Sequence, residues 1–281
     1  MRELDVARIT SEVKDLCISC NLYLSEDVKD SIRKAYENEE SPLGKEILGV
    51  VLENHDIASE KSMPLCQDCG VAVVFIDIGQ EIHLINGNLE DAINEGVRQG
   101  YAEGYLRKSM VSDPAIDRKN TGDNTPAVIH TRIVRGEKIR LRFAPKGGGA
   151  ENMSEVRMMT AADGIEGIKD FVVDRVKRSG GNPCPPMVVG VGIGGNFEKC
   201  ALLAKEALFR TLGEHNPDPR YADAEKEILE RVNRLGIGPQ GLGGRTTALA
   251  VSIEFVPCHI ACMPVAVNIQ CHAHRHAEIE I

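Results

Sequence analysis

Apolar positions recur at helical spacing at the start of the chain. Leu4, Ile9, Val13 and Leu16 form one stripe, and Ser25-Glu26-Asp27 offers a helix start ahead of Val28, Ile32 and Tyr36. Ser41-Pro42 restarts a helix carrying Ile47, Leu48, Val51 and Leu52, so residues 1–58 read as a helical segment. The period then changes. A polar turn at 59–62 and the stretch Pro64-Leu65-Cys66-Gln67-Asp68-Cys69-Gly70 precede an unbroken apolar run at 71–78. That order predicts a loop feeding a buried strand. A short strand is expected at 82–85. Residues 89–106 read as a helix with Ala92, Ile93, Val97 and Tyr101 on one side and Arg107 and Lys108 at its end. After a polar, turn-rich stretch at 117–126, strands at 127–134 and 138–143 are expected as a hairpin about Arg135-Gly136-Glu137.

The second half alternates in the same way. Pro145-Lys146-Gly147-Gly148-Gly149-Ala150-Glu151-Asn152 reads as a loop whose bare backbone N–H groups can approach a ligand, with Lys146 adding positive charge. A helix is expected at 162–178, then Asn182-Pro183-Cys184-Pro185-Pro186, then a short strand at 187–191. Gly190-Val191-Gly192-Ile193-Gly194-Gly195 has the look of a dinucleotide turn, but its spacing is G-x-G-x-G. No acidic residue closes a βαβ unit behind it, which disfavours NAD. The glycines are expected instead to bring a helix N-terminus toward an anion. Helices follow at 197–212, with Cys200 in the core, and at 222–235. A strand at 248–256 ends at Pro257-Cys258-His259, and 265–270 leads into Cys271-His272-Ala273-His274-Arg275-His276. The expected fold is mixed α/β. A helical N-terminal segment at 1–58 precedes an α/β part at 59–281 with short sheets flanked by helices, all in one domain.

Composition narrows the function. The 281 residues carry 33 basic and 42 acidic side chains, a net charge of −9, which argues against nucleic acid or an anionic membrane as partner. No apolar run reaches the about 20 residues of a membrane helix, and the N-terminus lacks a signal-peptide core, so a cytoplasmic protein is expected. There, nine cysteines are thiols or metal ligands rather than disulfides. Cys17-x-x-Cys20 reads as two half-buried thiols on a helix. His272, His274 and His276 invite zinc, but they share a face only on a strand, and zinc is the lesser reading.

Cys66, Cys184 and Cys271 each sit in a Pro- or Gly-stiffened or polar setting, far apart in sequence. Three such thiols suit a [4Fe-4S] cluster with three protein ligands, and their wide spacing is unlike a ferredoxin's clustered pattern. The iron left open would be a Lewis acid for a hydroxyl and a carboxylate, helping hydroxide to leave. Cys66-Gln67-Asp68, the 146–152 glycine loop, the Asn182–Pro186 cysteine, Leu235-Gly236-Ile237-Gly238-Pro239-Gln240-Gly241 and Gln270-Cys271-His272-Ala273 together resemble the α subunit of two-subunit, iron–sulfur class I fumarate hydratases. Tartrate dehydratases are close relatives of that family, and the resemblance runs over nearly the whole chain.

The resemblance implies that Cys66, Cys184 and Cys271 hold the cluster. Gln67 and Asp68 would face the substrate, Arg107 would bind a carboxylate, and Gly149 would offer its backbone. Asp68 and His259 would form the pair that assists the departing or arriving water. Many family members have Thr where this chain has Cys69, a second thiol close enough to compete with Cys66. The resemblance further implies a separate β subunit in an α2β2 assembly, inactivity of this chain alone, and oxygen sensitivity. The expected reaction is reversible hydration of fumarate to (S)-malate without net electron transfer. Dehydration of L-tartrate or a methylated dicarboxylate is the alternative, and a cluster-bearing redox or sensing subunit is the other class.

Overall fold

The computed structural model describes residues 2–281. In chain order the first half runs β1 (Arg2–Asp5), α1 (Val6–Leu22), α2 (Glu26–Asn38), α3 (Pro42–Lys61), β2 (Val71–Gly79), β3 (Ile82–Ile85), α4 (Leu89–Glu103), β4 (Val128–Val134) and β5 (Ile139–Lys146). The second half runs α5 (Gly148–Glu151), β6 (Glu155–Met159), α6 (Gly164–Ser179), β7 (Met187–Gly195), α7 (Phe197–Glu206), α8 (Pro219–Asn233), β8 (Ala248–Cys258), β9 (Met263–Gln270) and β10 (Ala277–Glu280). The fold is mixed α/β, as expected. The short β1 precedes the helical start, and α3 continues through the polar 59–61 that read as a turn. The chain divides into two compact units, neither continuous in sequence.

The first unit comprises residues 2–25, His55–Gly148 and Arg275–Ile281. Asp5 caps α1 by accepting the Ala7 N–H at 2.8 Å. Of the stripe read from the sequence, Ile9, Val13 and Leu16 form the buried face of α1 and Leu4 enters the same core from β1; Cys17 and Cys20, expected half-buried, are buried there. Helix α4, capped by Asn88, lies directly on α1. Gly100 makes that approach possible, because a Cβ there would stand 2.6 Å from Cys17 Cβ. The helix stops at Glu103 rather than 106, since Gly104 and then Tyr105, at φ 52°, leave helical geometry.

The expected hairpin does not form. In the sheet order β10-β5-β2-β4, strand β2 lies between β4 and β5, parallel to the first and antiparallel to the second. The reason lies in β2 itself: Val71-Ala72-Val73-Val74-Phe75-Ile76-Asp77-Ile78-Gly79 is buried along nearly its whole length and is satisfied only when both of its edges are paired. The 135–138 turn instead straddles the end of β2, where Gly79 N donates to Lys138 O at 2.9 Å.

The second unit comprises Glu26–Asn54 and Gly149–His274. Its sheet has the order β6-β9-β7-β8, with β7 parallel to β8 and antiparallel to β9. Here too an expectation changes. Gly190 and Gly192 lie inside β7 rather than in a loop at a helix N-terminus. A Cβ on Gly190 would stand 2.1 Å from Ala204 O, and one on Gly192 2.0 Å from Cys200 O, so these glycines let α7 rest on the strand. Gly194 and Gly195, both at positive φ, make the turn into α7, and Asn196 caps it. Cys200 lies in the core as predicted. Among the described residues, no helix is long and apolar enough to cross a membrane.

Candidate functional site

In the first unit the chain between α3 and β2 carries Cys66, Gln67 and Asp68, and the next residue, Cys69, meets the Arg107 backbone. Cys66 is part-buried and outside regular structure, and Gln67 is exposed. The Cys66 thiol is 3.4 Å from Gln67 Oε1, and Asp68 N donates to Cys66 Sγ at 3.4 Å. The Asp68 carboxylate is oriented by two backbone donors: Gly70 N reaches Oδ1 at 3.0 Å and Gly148 N reaches Oδ2 at 2.8 Å. The glycine run thus does give an N–H to an anion, but to the loop's own carboxylate. Gly147, packed 3.1 Å from Asp68 Oδ2 at its would-be Cβ, keeps that approach open. Lys146 does not add charge to the loop surface; it is the last residue of β5 and is buried.

Cys69 behaves unlike Cys66. Its Sγ turns into the core, accepting the Arg107 N–H at 3.2 Å. Burial pushes its thiol pKa up, against the Arg107 N–H and the Arg275 charge, which lower it. A metal takes the thiolate, so this environment disfavours Cys69 as a ligand relative to the more accessible Cys66. Arg107 lies beyond the end of α4, with an exposed side chain.

The loop rests on buried groups that the sequence reading passed over. Leu65 N donates to Asn21 O at 2.9 Å, Arg275 Nη2 donates to Asp68 O at 2.8 Å, and Tyr101 Oη donates to Cys69 O at 2.7 Å. Asn124, fully buried, donates to Gly70 O at 3.1 Å and accepts Ser109 N at 2.7 Å. The polar run 117–126 had signalled a turn; what marked Asn124 was only its place in that run.

In the second unit Cys184 and Cys271 are neighbours through their flanking backbone. His272 N donates to Cys184 O at 3.2 Å, and His272 Nδ1 lies 3.1 Å from the same oxygen and 3.1 Å from Gln240 Nε2. With its proton on Nδ1 the ring donates to the carbonyl; without it, the ring accepts from the amide. Gln240 also donates through Nε2 to Pro185 O at 2.9 Å. Cys184 is exposed and holds φ 54°, a left-handed conformation costly for a residue with a Cβ and enriched at functional sites. Directly before Cys271, the Gln270 side chain is 1% exposed and its Oε1 has no hydrogen-bond partner among the described residues. Gly149 is exposed in the single turn of α5, beside Asn182 O.

His259 sits at the exposed tip between β8 and β9, its Nδ1 accepting Ala261 N at 3.1 Å. The 271–276 stretch is irregular, so His272, His274 and His276 do not alternate on a strand face, and His274 is buried. Among the described residues no three His, Cys, Asp or Glu groups converge as they would around a single ion. All nine cysteines are thiols, four of them buried: Cys17, Cys20, Cys69 and Cys200.

The donor set fits an iron–sulfur cluster in kind. Cys66, Cys184 and Cys271 are accessible or part-buried thiols in irregular chain, whereas Cys17, Cys20 and Cys200 are sealed in helices. Cluster thiolates bind different irons and need not converge as around one ion.

Comparison with known proteins covers almost the whole chain. A sequence model of the family described as "Fumarate hydratase (Fumerase)" matches residues 10–280. A Methanocaldococcus jannaschii protein named "Putative L(+)-tartrate dehydratase subunit alpha" is 43% identical over 274 residues, 96% of this chain and 96% of that protein. The "L(+)-tartrate dehydratase subunit alpha" of Escherichia coli K12 is 31% identical over 276 residues, 98% of this chain and 91% of that protein. The protein of the same name from Shigella sonnei matches to the same extent.

Proposed function

The chain belongs to the fumarate hydratase (Fumerase) family, and from that premise we propose that it is the α subunit of an iron–sulfur hydro-lyase acting on a hydroxylated four-carbon dicarboxylate, L(+)-tartrate first. The full-length likeness to proteins named for L(+)-tartrate carries this reading, and it moves tartrate ahead of the fumarate that the motifs alone favour. In it Cys66, Cys184 and Cys271 hold a [4Fe-4S] cluster, and residues 1–281 serve as one catalytic chain. When bound, the cluster supplies a Lewis acid toward the substrate's hydroxyl and carboxylate.

The chain's own groups do the rest. Arg107 offers an exposed guanidinium, the fork-shaped partner a carboxylate prefers. Gln67, exposed beside Cys66, binds a hydroxyl or carboxylate oxygen, and Gly149 adds its backbone N–H. Asp68, held by Gly70 and Gly148, gives a proton to the departing hydroxide or takes one from the arriving water, with His259 as its partner. A β subunit, in an α2β2 assembly in the cytoplasm, completes the substrate site.

Removing water from tartrate leaves an enol that tautomerises to a 2-oxo acid, whereas malate gives fumarate. Anaerobically purified protein, co-expressed with its β subunit, is therefore offered each acid in turn. A trapped 2-oxo acid from L(+)-tartrate, formed at higher kcat/KM than fumarate from malate, is expected. Fumarate formation at higher kcat/KM supports the second reading, which the family's own description favours. A loaded cluster that turns over neither, nor a methylated dicarboxylate, contradicts the hydro-lyase reading and points to a redox or sensing subunit.

A further inference from the structure

Arg275 is the bulkiest fully buried side chain of the described residues, 1% exposed. Burying a guanidinium is costly unless its N–H groups are engaged and its charge is used. Both groups it grips are neutral: Nη1 donates to Asn21 Oδ1 at 2.8 Å and Nη2 to the Asp68 carbonyl at 2.8 Å. Its Nε has no hydrogen-bond partner among the described residues. Asn21 is itself fixed, donating through Nδ2 to Cys17 O at 2.9 Å and accepting Leu65 N at 2.9 Å.

The 65–70 loop is thus tied at both ends. Asn21 takes the Leu65 N–H, while Arg275, Tyr101 and Asn124 take the carbonyls of Asp68, Cys69 and Gly70 in turn. Of these grips only the one at Asp68 is made by a cation.

We propose that Arg275 is a positioning residue for the Cys66-Gln67-Asp68 loop: its guanidinium fixes the Asp68 carbonyl, which sets how the Cys66 thiol and Asp68 carboxylate are presented. The proposal rests on the reading of that loop as the edge that meets cluster and substrate. Arg275 touches neither substrate nor reacting atoms; it acts through the peptide between Asp68 and Cys69. Nothing in the sequence marked it, since it stands inside a histidine-rich string that drew attention to its neighbours.

Arg275→Met and Arg275→Lys, each in the α chain co-expressed with β and purified anaerobically, test that grip. Arg275→Met is expected to fold, by circular dichroism, and to lose iron to a chelator about 10-fold faster than wild type, with kcat reduced about 10-fold or more and KM nearly unchanged. Arg275→Lys, which keeps a donor and loses the two-point fork, is expected to recover iron retention and kcat only in part. Wild-type iron retention and kcat in Arg275→Met overturn the proposal. If that variant does not fold, wild-type kcat in Arg275→Lys overturns it. Should the wild type load iron yet turn over no dicarboxylate, the proposed function fails, and the iron-retention comparison still decides the role of Arg275.

Discussion

At the scale of single residues, charge and burial decide more than residue type. Glu39 is 5% exposed, and its carboxylate accepts N–H groups from Glu40, Ser41, Arg245 and Thr246. Burial pushes its pKa up, but the backbone donors outweigh burial and hold it below the ordinary carboxylate value. A carboxyl with a lowered folded pKa adds stability that is complete above its unfolded pKa and is lost as pH falls through the folded one. Glu39→Gln is therefore expected to cost about 1–3 kcal/mol near neutral pH. Urea unfolding should show the gap to wild type closing below about pH 4; a gap that does not change with pH contradicts the assignment. The thiols give a second test. Burial pushes Cys20 up to about 12 and Cys17 well above its usual value. Alkylation of the folded apo chain at mildly alkaline pH should spare Cys17, Cys20, Cys69 and Cys200 and reach Cys184 and Cys258 first, as peptide mapping would show. Stiff neighbours made Cys66, Cys184 and Cys271 legible in the sequence. Only the folded loop separates Cys66 from Cys69, because the direction of a side chain three positions on depends on the turn at Gly70, at φ 72°.

At the scale of elements, the sequence showed where strands and helices lie better than how they pair. The apolar period placed β2, β3, α2 and α3 close to their true starts. It could not show that β2 enters between β4 and β5, since insertion is a matter of partners distant in the chain. Nor could it distinguish glycines that turn a loop from glycines that admit a helix. That difference is measurable. Gly192→Ala places a methyl 2.0 Å from Cys200 O and is expected to cost about 3 kcal/mol or more through displacement of α7. Gly213→Ala, at φ 98° with open space around its Cβ, carries only backbone strain of about 1–2 kcal/mol. Thermal or urea melts rank the two; equal costs would contradict the packing role of Gly192.

At the scale of the whole molecule, the chain offers two thiols joined through His272 in one unit, and a thiol, an amide, a carboxylate and a guanidinium in the other. The proposed function gives these groups a shared task, and the names of the relatives as α subunits favour a partner chain. The α chain alone is accordingly expected to show no dehydration of L(+)-tartrate or malate, and addition of β to restore it; turnover by α alone contradicts that dependence. In the proposed function Cys66, Cys184 and Cys271 hold one cluster. The most direct measurement is iron and acid-labile sulfide per α chain, under anaerobic conditions, in wild type and in single Cys→Ala variants. About four of each are expected in wild type, with near-complete loss in Cys66→Ala, Cys184→Ala and Cys271→Ala, and retention in Cys69→Ala and Cys258→Ala. A wild type without labile sulfide, or a Cys69→Ala variant that loses the cluster while Cys66→Ala keeps it, would contradict it.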